Sequence, residues 1–171
     1  MIKVYDDFLP KWLHMRVKEQ LLNPYFSWNF PSFGNIDGDI KSACFSNIPY
    51  IHNEIENFNG CDAVRYAFDC WVYENREIFK FDHLSRCLIN FYTAGQNTGW
   101  HQDIPDEDNV YSLIYYVNDA DGGTEFKNGQ TIDHKENRFV FFDSKLLHTP
   151  ITSSVPRRIN INWIMKGKLE I

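Results

Sequence analysis

Around residue 86 the chain changes its hydrophobic period, and that change limits the folds open to it more than any other feature of its 171 residues. Upstream the pattern is helical. Leu9, Leu13, Val17 and Leu21 recur every four residues around Pro10, which suits a first helical turn, and Asn23-Pro24 ends the run. Val64, Ala67, Phe68, Trp71 and Val72 fall at i, i+3, i+4, i+7 and i+8, which predicts a second helix over residues 62–80. Lys3-Val4-Tyr5 reads as an edge strand, and residues 25–50, broken by Gly34, Gly38 and Pro49, as irregular strands and loops. Downstream, short apolar segments at 87–92, 111–117, 124–127, 130–132, 138–142 and 158–165 alternate with turn clusters such as Asp119-Ala-Asp-Gly-Gly123 and Lys127-Asn128-Gly129. Asn-Gly between two β-prone segments is a hairpin signal, and strands at this spacing predict a sandwich or barrel-like roll. The expected class is α+β, mainly β, with leading helices that cover a sheet.

Length sets the organisation. One domain over residues 1–171 is expected, with 1–85 as helical and irregular support and 86–165 as the β-roll core. Aromatic residues at 16% favour strands, where planar side chains pack well. A formal charge of −6 weighs against a non-specific nucleic-acid binder, because phosphate backbones are held by clustered Lys and Arg. The start, with Asp6 and Asp7, lacks the basic-then-apolar order of a signal peptide, and no apolar run approaches the length of a membrane span. A cytoplasmic protein without membrane contact is expected. Cys44, Cys61, Cys70 and Cys87 show no C-x-x-C spacing and read as reduced, mostly buried thiols.

The chemistry concentrates after residue 100. In an extended His101-Gln102-Asp103 the imidazole and the carboxylate share a face. His148 follows the apolar strand Phe139–Phe142 and a short loop. Two His and one carboxylate on one side of a metal leave open positions opposite, the arrangement used in non-haem Fe(II) oxygen chemistry. Ten residues beyond His148, Arg158 heads Arg-Ile-Asn160-Ile-Asn162-Trp163. With Arg158 facing inward, Asn160 and Asn162 join it in a polar stripe able to clamp a carboxylate; with Arg157 inward, Ile159, Ile161 and Trp163 would stand there instead. His14, His52, His83 and His134 read as solvated or capping residues. Trp100 reads as core packing directed away from the metal, with a substrate-facing rim as the alternative. Trp28, Phe30 and Phe33 read as an aromatic core cluster, with the lip of a substrate pocket as the alternative.

Asn90-Phe-Tyr92-Thr-Ala-Gly95 leading to His101-Gln-Asp103 is similar to the N-x-Y-x-x-G…H-x-D segment of alkylated-base demethylases, and equally to the Y-x-x-G…H-x-D segment of prolyl hydroxylases. Ser112-Leu-Ile-Tyr-Tyr116-Val-Asn118…Gly122-Gly123-Thr-Glu-Phe126 resembles the prolyl-hydroxylase strand pair, and Phe141-Phe142-Asp143…His148-Thr-Pro150…Arg158 resembles the closing segment. Over residues 86–165, roughly half its length, the chain thus resembles the Fe(II)- and 2-oxoglutarate-dependent dioxygenases, in particular their prolyl-hydroxylase-like members. The resemblance implies a double-stranded β-helix (a cupin-like jelly roll) with iron held by His101, Asp103 and His148. It implies that Arg158 pairs with the distal carboxylate of 2-oxoglutarate, helped by a tyrosine hydroxyl. Tyr92 and Tyr116 both stand where the family places one, and Asn160 completes an R-x-N pattern. Arg157 also lies within the family's distance of the last His. Ascorbate is a further candidate cofactor.

The activity so implied is hydroxylation of a C–H bond of a peptide side chain, proline first, or of a small molecule, with molecular oxygen consumed and succinate and carbon dioxide released. A nucleobase demethylase and a catalytically silent β-roll binding module are the rival readings. The acidic run from Asp103 to Asp108 would repel a phosphate backbone near the mouth of the roll, so a neutral or amine-bearing partner is expected rather than nucleic acid.

Overall fold

The computed structural model describes residues 1–29 and 44–170. An edge strand β1 (Ile2–Tyr5) leads into helix α1 (Lys11–Leu22), then β2 (Phe45–Ile51), β3 (Ile55–Glu56) and helix α2 (Asp62–Glu74). Seven strands follow: β4 (Phe79–Tyr92), β5 (Val110–Tyr116), β6 (Gly123–Phe126), β7 (Thr131–Asp133), β8 (Arg138–Asp143), β9 (His148–Ile151) and β10 (Arg158–Leu169). They form two antiparallel sheets, a large one in the order β1-β8-β5-β10-β4-β2-β3 and a small one in the order β7-β6-β9. This mainly β, antiparallel architecture is that of a double-stranded β-helix with two helices on its back.

The two faces of the large sheet do different work, and strand alternation separates them. Cys87 and Ile89 of β4, Leu113 and Tyr115 of β5, Phe139 and Phe141 of β8, and Ile159, Ile161 and Trp163 of β10 join one buried core. Leu13, Val17 and Leu21 of α1 and Val64, Ala67, Phe68 and Trp71 of α2 complete it. Each fully buried Leu, Val or Phe stabilises the fold by about 1.5–3 kcal/mol relative to exposure. The even-numbered residues of the same strands face the other way. There Ile114, Tyr116, Val140 and Phe142 pack with Phe126 and Ile132 of the small sheet. The polar side chains of Arg158, Asn160 and Asn162 lie among these even-numbered positions. The space between the sheets is therefore partly polar, which an apolar core would not tolerate without partners.

Expected and observed elements differ in places that have physical reasons. Helix α2 stops at Glu74 rather than at 80, because Asn75 turns back and donates from both its backbone N–H and its side chain to Trp71 O. Strand β4 starts at Phe79 rather than 87, held along its length by β10. Strand β9 carries no alternation of its own and is an edge partner of β6. His14 is buried rather than solvated: Nδ1 lies 2.6 Å from Tyr115 Oη and Nε2 lies 2.9 Å from Glu136 Oε1, which ties α1 to the sheet. Trp28 packs against the helix-side core as expected, whereas Phe30 and Phe33 lie outside the described residues. All four cysteines are free thiols and three are buried. Among the described residues no helix is long and apolar enough to cross a membrane.

Gly122-Gly123 opens β6, and both residues have positive φ (87° and 149°). A Cβ on Gly123 would stand 2.1 Å from Ile132 O, in the backbone of the paired strand β7. Gly123→Ala should therefore prise β6 from β7 and destabilise the protein by about 2–4 kcal/mol, read from urea denaturation midpoints. A variant as stable as the wild type would mean that this backbone approach is not required.

Candidate metal centre

His101 and His148 meet through the backbone. His101 N–H donates to His148 O, and His148 N–H donates to His101 O, each at 2.9 Å. This two-residue bridge extends the small sheet beyond β9 and brings the rings within 4.4 Å, centroid to centroid. Asp103 reaches the same point because its N–H donates to Ser144 O at 3.1 Å, just past the end of β8. One ligand atom from each of His101, Asp103 and His148 lies within 4.8 Å of the others. His148 Nε2 and Asp103 Oδ2 are 3.8 Å apart.

The donor set suits a first-row divalent cation. His101 Nδ1 lies 3.0 Å from Gly99 O, and His148 Nδ1 lies 2.9 Å from Leu146 O. A carbonyl accepts only, so each Nδ1 carries the proton and each Nε2 presents a lone pair. Burial pushes the His148 imidazole below the ordinary histidine value, so it is neutral near pH 7. The carboxylate is oriented by two side-chain hydrogen bonds. Ser112 Oγ donates to Asp103 Oδ2 at 2.5 Å and lies 2.9 Å from Ser144 Oγ. Asn162 Nδ2 donates to Asp103 Oδ1 at 3.1 Å, and Arg86 Nη2 lies 3.8 Å from the same oxygen. Two imidazoles and one carboxylate, each fixed from behind, are what an open-sided Fe(II) site needs.

Deeper between the sheets lies a second polar cluster. Arg158 is only 1% exposed, and its Cβ-bearing backbone is clamped by Asn118, whose Nδ2 donates to Arg157 O at 3.0 Å and whose Oδ1 accepts from Ile159 N at 2.9 Å. Arg157 is exposed. The Arg158 guanidinium sits over the Tyr92 ring at 4.5 Å and donates through Nη1 to Ile151 O, while its Nε is buried without a partner. A Cβ on Gly122 would come 2.9 Å from Arg158 Nη1, so that glycine leaves room for the guanidinium. Tyr116 Oη lies 2.8 Å from Thr124 Oγ1. Burial pushes the Tyr92 phenol up and the Tyr116 phenol up to about 12, so both keep their protons and can donate to an anion. A buried cation with an orphaned N–H, flanked by neutral hydroxyls, fits a carboxylate. Asn160 Oδ1 accepts from Asn90 Nδ2 at 3.0 Å, which locks β10 to β4 beside this cluster.

Several of these residues had no sequence signal. The roles of Ser112, Ser144 and Asn118 appear only once strands far apart in sequence are paired. His134 is corrected from a solvated residue to a buried one, 6% exposed, stacked on Tyr116 at 4.3 Å with Nε2 donating to Asn118 O at 2.8 Å. Trp100 is 43% exposed rather than in the core, with Lys127 Nζ 4.9 Å from its ring centroid. The acidic run behind the ligands is partly neutralised, since Glu107 pairs with Lys166 and Asp108 with Lys145.

His134 gives a pH prediction. Burial, reinforced by the Arg158 charge, lowers its pKa to about 3 against 6.5 for a free side chain. Below pH 6.5 the unfolded chain binds a proton here that the folded chain does not, so stability falls as the pH drops. Between pH 7 and 5 the wild type should lose about 2 kcal/mol more than His134→Gln, measured by urea denaturation. Equal losses in both proteins would contradict a neutral buried His134.

Residues 87–165 match the family model of the 2OG-Fe(II) oxygenase superfamily, and that segment contains His101, Asp103 and His148. Solved structures of similar fold include a prolyl hydroxylase from Trichoplax adhaerens in complex with a hypoxia inducible factor peptide fragment (TM-score 0.73, 18% identity, 96% of this chain and 83% of that one). A Pseudomonas putida prolyl-4-hydroxylase aligns with TM-score 0.67 and 16% identity over 96% of this chain and 92% of that one. The alpha ketoglutarate dependent epimerase SnoN from nogalamycin biosynthesis aligns with TM-score 0.66 and 11% identity over 99% of this chain and 80% of that one. No curated protein matches the chain in sequence.

Proposed function

We infer that the chain holds one Fe(II) ion through His101 Nε2, His148 Nε2 and one oxygen of Asp103, and 2-oxoglutarate through Arg158, and that it hydroxylates a C–H bond of a peptide side chain, proline first, or of a small molecule. The observation that carries this reading is the convergence of the three ligand atoms within 4.8 Å, with both imidazole Nδ1–H groups turned to carbonyls. When bound, iron and 2-oxoglutarate would activate molecular oxygen, the oxidant: one oxygen atom would enter the substrate C–H bond as C–OH and the other would enter succinate as 2-oxoglutarate is oxidatively decarboxylated with release of carbon dioxide.

The chain's own share is positioning and electrostatics. Ser112 and Asn162 hold the Asp103 carboxylate to one orientation. Asn118 fixes the β10 backbone on both sides of Arg158, and Asp121 braces the loop before it by accepting from Ser153, Ser154 and Val155. Arg158 would meet the distal carboxylate of 2-oxoglutarate through its unpaired Nε, with Tyr116 as the neighbouring hydroxyl donor and Tyr92 stacked beneath the guanidinium. Asn160 takes a positioning role through Asn90 rather than a direct one. Proline comes first because prolyl hydroxylases are among the structures of similar fold, one of them in complex with a peptide fragment.

The test is succinate formation from 2-oxoglutarate with Fe(II), ascorbate and oxygen, screened against proline peptides, free amino acids and methylated oligonucleotides. Substrate-stimulated succinate with a peptide or amino acid is expected. Stimulation by a methylated oligonucleotide alone would favour the nucleobase reading, and no succinate under any condition would favour a silent binding module.

A further inference from the structure

Arg86 projects from β4 toward the metal-facing residues, on the same strand face as Asn90 and Tyr92 and far from Arg158, which pairs with the other end of that strand's inner face. Its Nη2 stands 3.8 Å from Asp103 Oδ1, too far for a hydrogen bond, and that oxygen already accepts from Asn162. Its Nε is buried and has no partner, yet the side chain as a whole remains 34% exposed. Among the described residues no other carboxylate lies within ion-pair distance of it. A guanidinium with one sealed end and one open end is poised for something that arrives from outside.

Charge counting says what that something is. Between the sheets the described residues near the site contribute one carboxylate, Asp103, and two guanidinium groups, Arg86 and Arg158. A divalent cation and dianionic 2-oxoglutarate cancel each other, so their arrival leaves the surplus positive charge in place. Asp103, once it ligates a cation, also compensates Arg86 less. Partly buried unpaired charge is costly, and an anionic group on the incoming substrate removes that cost. We propose that Arg86 is a specificity-determining residue that anchors a carboxylate of the primary substrate beside the metal centre: the free carboxylate of an amino acid or N-acyl amino acid, or an acidic side chain flanking the modified residue of a peptide. This rests on the oxygenase reading above and names the substrate class for the same site.

The experiment uses protein loaded anaerobically with Mn(II) and 2-oxoglutarate, titrated calorimetrically with matched acid and neutral probes. The pairs are N-acetyl-L-proline and its methylamide, and a proline peptide flanked by Asp and its Asn counterpart. At least one acid should bind about tenfold or more tightly than its neutral partner. Arg86→Gln should reduce that preference to within about twofold, and Arg86→Lys should retain part of it, while both variants hold Mn(II) and 2-oxoglutarate as the wild type does. The proposal is overturned if no acid outcompetes its neutral partner, or if the preference survives in Arg86→Gln. It is equally overturned if Arg86→Gln loses Mn(II), which would make Arg86 a brace for Asp103. Failure of the wild type to hold Mn(II) and 2-oxoglutarate would instead remove the oxygenase reading itself.

Discussion

Asp103→Ala loses at least about a hundredfold in Fe(II) or Mn(II) affinity, and its succinate formation falls to background. Asp103 is the only anionic member of the three, and Ser112 and Asn162 both donate to it. Removing it leaves two neutral imidazoles, which hold a divalent cation far more weakly in a partly buried site. The fold should survive, because Ser112 and Ser144 remain within hydrogen-bond distance of each other when the carboxylate is gone. Ser112→Ala provides the graded control. It removes one orienting donor and should cost about tenfold in metal affinity, the usual range for groups that position a ligand. Equilibrium dialysis against Mn(II) reads both. Full metal binding by Asp103→Ala would move the site elsewhere.

Arg158→Ala raises the 2-oxoglutarate concentration needed for half-saturation by about a hundredfold or more and leaves metal affinity within a few-fold. The size follows from removing one partner of a buried, charge-assisted pair, which costs about 3–5 kcal/mol. Arg157→Ala is the matched control, since the Arg157 side chain is exposed and only its carbonyl is engaged, by Asn118. It should behave as the wild type. The opposite pattern would mean that the inner face of β10 has been assigned one residue out of step, which would reverse every face along the strand.

What could be read from the sequence follows from how local each signal is. The α1 stripe at Leu13, Val17 and Leu21 and the alternation of β10 are local patterns, and both appear where the pattern puts them. The alternation also separates Arg158, with Asn160 and Asn162, from the helix-facing Ile159, Ile161 and Trp163. His101, Asp103 and His148 could be singled out because H-x-D is itself local and its distant partner follows a recognisable strand. The braces could not. Ser112 meets Asp103 only after β5 pairs with β8 and Ser144 accepts from the Asp103 backbone. His14, within the first helix, and His134, in a polar stretch, read as solvated or capping residues, and only tertiary packing buries them against Tyr115 and Tyr116. Trp100 went the other way, since an aromatic next to a ligand strand suggests packing, whereas the residues around it form a loop at the rim.

Anaerobic calorimetric titration of 2-oxoglutarate into the full chain, with and without one equivalent of Mn(II), tests the joint metal and cosubstrate site most directly. Saturable binding of one 2-oxoglutarate per chain is expected with Mn(II) present, weakened at least about tenfold without it and about a hundredfold in Arg158→Ala. Binding that ignores the metal, or no binding in its presence, would contradict a site built from His101, Asp103, His148 and Arg158.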